Sequence, residues 1–162
     1  FDLSLISSDK TVNSAKLKLY YYKNKDNSPI NNTLCVYKIT TDWEENLVTW
    51  NNKPQNESNC IAYCFVPALT ENWIEWDLTS EIEKISKDES PNYGWRLSDE
   101  TYWGSYNIPI TYFYTKENNP YAPYLEIKVS NNQFILWIIL LISILLILLP
   151  IIYHLTNKNS KL

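Results

Sequence analysis

Residues 14–21 read SAKLKLYY, and their alternation decides the fold. Neighbouring side chains of an extended chain point to opposite faces, so Ala15, Leu17, Leu19 and Tyr21 share one side while Lys16, Lys18 and Tyr20 share the other. That is a strand with one dry face and one wet face. Residues 124–129 alternate in the same way, which predicts Leu125, Ile127 and Val129 inward and Glu126 and Lys128 outward. Between these two, short strands are predicted at 34–39, 47–50, 61–66, 73–78, 95–97 and 111–115, separated by clusters of Asn, Asp, Pro and Ser. Ser80 followed by Glu83 has the spacing of a capping box, and Ile82 and Ile85 supply an apolar edge, so a short helix is predicted at 81–86. Eight or so short strands with one minor helix imply two antiparallel sheets packed face to face.

Residues 134–153 read FILWIILLISILLILLPIIY, with no charged side chain. As a helix rising about 1.5 Å per residue this run covers roughly 30 Å, the hydrocarbon thickness of a bilayer. Trp137 and Tyr153 suit the two interfaces, and Ser143 can bond back to its own helix. The expected organisation is a β domain at 1–129, a polar hinge at 130–133, a single transmembrane helix at 134–153 and a tail at 154–162. Lys158 and Lys161 in the tail, against Lys128 alone before the helix, place the C-terminus in the cytoplasm and the domain outside the cell membrane. Sequons at Asn31 and Asn56 are compatible with export. The chain lacks Met and begins abruptly with FDLS, so a targeting segment and further structure are expected upstream.

Without Lys158 and Lys161, Lys plus Arg falls from 14 to 12 against 18 Asp plus Glu. This acidic balance argues against a nucleic-acid partner and against docking on anionic lipid by bulk charge. The lone His154 lies beyond the apolar run, so no Ser-His-Asp or Cys-His pair can form in the domain, and no carboxylate stands in an apolar setting suited to an acid catalyst. No cofactor or metal is indicated. Cys60-x₃-Cys64 lacks two further zinc ligands, and Asp99 with Glu100 falls short of a calcium loop. In an extended strand Cys60 and Cys64 would stand roughly 13 Å apart, beyond disulfide reach, whereas Cys35 could bridge to either.

The aromatic residues carry the functional question, because sugar rings stack on exposed aromatic faces. Trp43, Trp50, Trp73, Trp76 and Trp95 are expected to be structural. Tyr102, Trp103 and Tyr106 lie in a loop with no alternating face to bury them, and are the candidate stacking platform. Arg96, the only arginine, lies between inward Trp95 and Leu97, so its guanidinium should leave the sheet on the solvent face. There it could hold an anionic sugar group in two parallel hydrogen bonds or pair with a cross-strand carboxylate.

FDLS, TVNSAKLKLYYY, CVYKITTDWEENLVTWNNKP, WIEWDLTSEIEKI, NYGWRLSDE and YFYTKENNPYAPYLEIKV follow one another in an order and spacing that resembles the DNRLRE domain family. That family is similar to carbohydrate-binding modules of surface polysaccharide-active proteins and to disaggregatase-related archaeal domains. The resemblance covers nearly all of residues 1–129 and is most specific at Trp50-Asn-Asn-Lys-Pro54, at 73–79 and at Pro123-Tyr-Leu-Glu126. It implies a jelly-roll-like β-sandwich at the cell surface whose first strand precedes FDLS. The expected function is a non-catalytic carbohydrate-binding or adhesion module anchored to membrane lipid, with a polysaccharide or cell-surface glycan as partner. The alternatives are a structural stalk without a sugar site, or the anchor end of a larger surface enzyme.

Overall fold

The computed structural model describes residues 1–25, 33–100, 110–131 and 133–159, with the side chains of the last segment described over 136–150. Among the described residues there are seven strands and two helices, arranged as a four-stranded and a three-stranded antiparallel sheet. β1 (Lys10–Asn24) is the spine of the first sheet. β4 (Asn72–Asp77) runs along one side of it, while β6 (Thr111–Phe113) and β7 (Tyr124–Asn131) lie end to end along the other. This follows from the register, since Lys18 pairs with both Glu75 and Tyr124, and Tyr21 with both Asn72 and Phe113. The second sheet has the order β3 (Ala62–Phe65), β2 (Thr33–Lys38), β5 (Trp95–Asp99).

The alternation of 14–21 is realised as expected. Ala15, Leu17 and Tyr21 are buried and Leu19 packs on the same cluster. On the outer face Lys16 pairs with Glu75 at 2.7 Å and Lys18 with Glu126 at 2.8 Å, closing a charged ladder across three strands. The inward residues meet Leu34, Val36 and Val66 of the second layer. Trp76 is the central piece, fully buried, and its indole N–H donates to the Leu34 carbonyl at 3.0 Å, so the largest core ring carries its own polar satisfaction between the sheets.

Several sequence expectations are corrected. Residues 47–50 form no strand: Leu47 and Trp50 are exposed, and the segment is a turn inside a long loop, with no neighbouring strand to pair it. The helix α1 (Thr79–Ser86) starts earlier than expected, and Ser80 and Glu83 do not form a capping box. Asp77 fixes this helix instead, its carboxylate accepting from the Thr79 N–H at 2.9 Å and hydroxyl at 2.6 Å, which holds its pKa below the usual 3.8. Thr79 in turn accepts the Ala15 N–H at 3.0 Å, tying α1 to β1. Val129, expected inward, is exposed, although its register partner Val12 is buried in the core. Ser130 and Asn131 continue β7 against Thr11 and Lys10, so the first two residues of the expected hinge are strand.

The second helix, α2 (Gln133–Asn159), is continuous through Pro150, and Ser143 donates to the Leu140 carbonyl at 2.7 Å as the sequence suggested. Among the described residues no helix is long and apolar enough to cross a membrane. The described side chains of α2, residues 136–150, cover roughly 22 Å at 1.5 Å per residue.

Candidate functional site

Besides the exposed pair Tyr63 and Phe65 on β3, which meet edge to face at 5.9 Å, two aromatic regions stand outside the core among the described residues. The first is the outer face of the four-stranded sheet. β6 ends at Phe113 opposite Tyr21 and β7 begins at Tyr124 opposite Lys18, so the intervening chain leaves the sheet and folds over Tyr20 and Tyr22. Tyr22 stacks on Tyr114 at 4.4 Å and Tyr114 on Tyr121 at 5.3 Å, while Tyr20 lies 4.3 Å from Tyr121. Trp73 then meets Tyr20 and Tyr124 edge to face at 5.2 and 4.8 Å. These rings cover one another's faces. Their geometry pins the 114–123 loop to the sheet, with Tyr121 and Tyr124 each left 39% exposed.

The second region is the loop following β2. Its neck continues the β2 ladder: Thr40 N–H donates to the Gln55 carbonyl at 2.8 Å, Glu57 N–H to the Lys38 carbonyl at 2.9 Å, and Ile39 bridges Asn56. At its tip the Asn52 side chain donates to the Leu47 carbonyl at 2.9 Å and accepts from the Thr49 hydroxyl at 2.7 Å and from the Thr49 N–H. This asparagine therefore builds the turn that carries Trp50. The Trp43 indole N–H donates to the Tyr93 carbonyl at 2.8 Å, and Glu45 pairs with Lys116, so the loop is tied to the segment before β5 and to the one after β6.

Trp50, expected to be structural, is instead 80% exposed. The Lys53 ammonium lies 3.6 Å from its ring centroid, holding one face and leaving the other outward. Lys53 also lines a hollow of about 190 Å³ with Ile39, Trp43, Val48, Pro54, Trp95 and Arg96. A second hollow of about 260 Å³ shares Trp43 and Val48 with the first and is further lined by Asp42, Glu44, Leu47 and Asn52. The result is an apolar floor with a polar rim, the usual form of a small-ligand site. Gly94, at φ +87, supplies a left-handed turn before β5, and its carbonyl accepts from the Ile39 N–H at 3.1 Å. That turn delivers Trp95 to the floor and Arg96 to the rim.

Arg96 leaves the sheet on the solvent face, as expected. Its guanidinium donates to the Asn56 side-chain oxygen at 2.8 Å and to the Ser98 hydroxyl at 3.0 Å, over the Tyr37 ring and 3.9 Å from Glu100. Neutral partners thus orient it. The tight cross-strand ion pair considered from sequence is absent among the described residues. Tyr37 is pushed up to about 12, by burial first and then by its hydrogen bond to Glu100. Tyr102, Trp103 and Tyr106 lie outside the described residues. The structure therefore brings Arg96 together with Trp43 and Lys53, and Lys53 in turn contacts Trp50; the sequence did not single out these three as ligand contacts.

The carboxyls with displaced affinity, Asp2, Asp77, Glu117 and Glu126, are held down by hydrogen bonds, whereas protonating a leaving group requires the opposite shift. Glu81, the buried carboxylate, is 3.3 Å from Lys38 beneath α1, away from both hollows. The described residues hold no cluster of metal-ligating side chains.

The model of carbohydrate-binding module family 96 matches residues 1–129, the whole two-sheet domain apart from the last two residues of β7. The chain belongs to carbohydrate-binding module family 96. No curated protein and no solved structure matches it. Membership in this family makes glycan recognition the reading to test at the two hollows, and such modules typically bind without catalysis.

Proposed function

We propose that this family 96 module binds a glycan chain without cleaving it, through the loop after β2. Trp50 supplies an open stacking face, Trp43 and Trp95 the apolar floor, and Asn52, Lys53 and Arg96 the hydrogen-bonding rim. The observation that carries this reading is Trp50, a large ring left 80% exposed on a turn built to hold it there. A solvent-facing indole has no packing role, while axial C–H groups of a sugar fit its face. Lys53 on the reverse side fixes the ring before binding, which lowers the ordering cost. Tyr102, Trp103 and Tyr106 remain a second proposed platform.

Affinity electrophoresis through neutral, uronic and sulfated polysaccharides tests the assignment. The wild-type module should be retarded by at least one gel, and Trp50→Ala should lose the retardation while keeping its melting temperature. Loss in Trp103→Ala but not in Trp50→Ala would move the site to residues 101–109. Retardation by no polysaccharide would favour a structural stalk.

The module is further proposed to be displayed outside the cell by α2, with residues 154–162 in the cytoplasm. The support is the uncharged run at 134–153 within one continuous helix and the lysines that follow it. The full chain should stay with lipid after carbonate washing, and protease added to intact cells should digest residues 1–129. Release by carbonate, or protection from protease, would overturn the anchor or its orientation respectively.

A further inference from the structure

The three cysteines lie at or beside two adjacent strands, and all are free thiols. They face different ways. Leu34 and Val36 belong to the core cluster, whereas Cys35 between them is buried at 7% outside it, so its side chain points to the outer face of the second sheet. Its register partner Tyr63 is exposed on that face. Cys64 pairs with Leu34 and packs on the core, facing inward. Cys60 is exposed and precedes β3 at a bend where Ile61 N–H donates to the Val36 carbonyl at 2.9 Å. Its Sγ folds back along β3 to the Ala62 carbonyl at 3.1 Å, beside the position where Cys35 sits across the ladder. After burial, Cys60 is the neighbour that does most to raise the Cys35 thiol pKa.

We propose that Cys35 and Cys60 are the disulfide-forming pair of this chain, closing a covalent ring across the neck of the loop that carries Trp43 and Trp50, with Cys64 left as a permanent thiol. The ring encloses the part of the cleft contributed by that loop, from Ile39 to Pro54. The link adds a covalent closure to a neck otherwise held by the Thr40–Gln55 and Lys38–Glu57 hydrogen bonds. Sequence spacing left Cys60 and Cys64 equally available to Cys35. The opposite facing of Cys64 removes that ambiguity.

The oxidant is a low-molecular-weight disulfide, and thiol exchange balances the step. The exposed Cys60 thiolate attacks one sulfur of oxidised glutathione, forming a mixed disulfide and releasing one glutathione thiolate. Cys35 then gives its proton to solvent, and its thiolate attacks the Cys60 sulfur and displaces the second glutathione. Two protein thiols are oxidised and one external disulfide is reduced to two thiols. Burial pushes the Cys35 thiol up to about 11, which makes the second attack slow and accelerates it about tenfold per pH unit at neutrality. Burial likewise raises Cys64, to about 12, and keeps it inert.

The test uses the full chain equilibrated with oxidised glutathione and mapped by mass spectrometry without reduction. One cross-linked peptide pair joining Cys35 to Cys60 is expected, with Cys64 alkylated after denaturation. Cys64→Ser should keep the cross-link and Cys60→Ser should lose every internal one. The oxidised wild type should melt several degrees above its reduced form, while Cys60→Ser should be indifferent to reductant. A link to Cys64, or recovery of Cys35 and Cys60 both as free thiols, would overturn the pairing. A wild-type melting temperature unmoved by reductant would overturn its role in holding the loop. These readouts do not use glycan binding, so they stand or fall separately from the proposed function.

Discussion

The outer face of the first sheet and the loop after β2 are both rich in aromatic rings, yet the rings do opposite things. Tyr20, Tyr22, Trp73, Tyr114, Tyr121 and Tyr124 contact one another at 4.3 to 5.8 Å, so their faces are occupied from within the protein. Trp50 has a lysine on one side and, among the described residues, no ring partner. Counting aromatic residues therefore says little about ligand binding. What matters is whether a ring's partners come from its own chain, and the loop is the place where one partner is missing.

The sharpest way to break this comparison is to remove a ring from each region. Tyr20→Ala takes away contacts with Trp73, Tyr114 and Tyr121 and should cost about 2 to 3 kcal/mol in denaturant unfolding. Glycan retention per folded molecule should not change. Lost retention at unchanged stability would make the sheet face the binding surface. Trp50→Ala should give the mirror image, at least tenfold weaker retention, about 1.4 kcal/mol, with a melting temperature within two degrees of wild type. A large fall in melting temperature would return Trp50 to the structural role that its sequence context suggested.

That reversal shows where sequence reading ends. The strand at 14–21 was legible because alternation is enforced by burial: Ala15 and Tyr21 are fully enclosed, and a one-residue slip would expose them. Residues 47–50, Leu-Val-Thr-Trp, were read as a strand from local sequence, but among the described residues no strand pairs with them, and pairing is a property of the whole sheet. Local sequence cannot report a missing neighbour. Arg96 was read correctly as outward because Trp95 and Leu97 flank it inside a real strand. Its placement beside Trp43 and Lys53 depends on the Gly94 turn and on contacts about forty to fifty residues away in sequence, which no local pattern contains.

A finer probe is Lys53→Ala. Loss of an exposed cation–π contact should cost about 0.5 to 1 kcal/mol or less, read as retention weakened two- to fivefold, because the ring loses its fixed orientation. Unchanged retention would show that Trp50 needs no support. The smallest effect is acid sensitivity on the sheet side. Glu126 is held below 4.5 by its hydrogen bond to Lys18, and Asp77 below 3.8 by Thr79. Groups with lowered folded pKa stabilise the fold above their unfolded values and lose that contribution as pH falls through the folded ones. The melting temperature should therefore decline as pH drops below about 4.5, less so in Glu126→Gln. An identical decline in that variant would assign the acid sensitivity elsewhere.

β7 is the last strand before α2, and it lies against β1 from Lys10 to Lys18. Any tension between a captured ligand and an immobilised α2 must leave the domain through β7. A strand pulled lengthwise against its neighbour loads its ladder of hydrogen bonds together, so rupture requires them to fail at once rather than in sequence. The same pairing that closes the sheet thus makes the C-terminal attachment a shear joint, strongest along the chain direction in which a tethered module would be dragged.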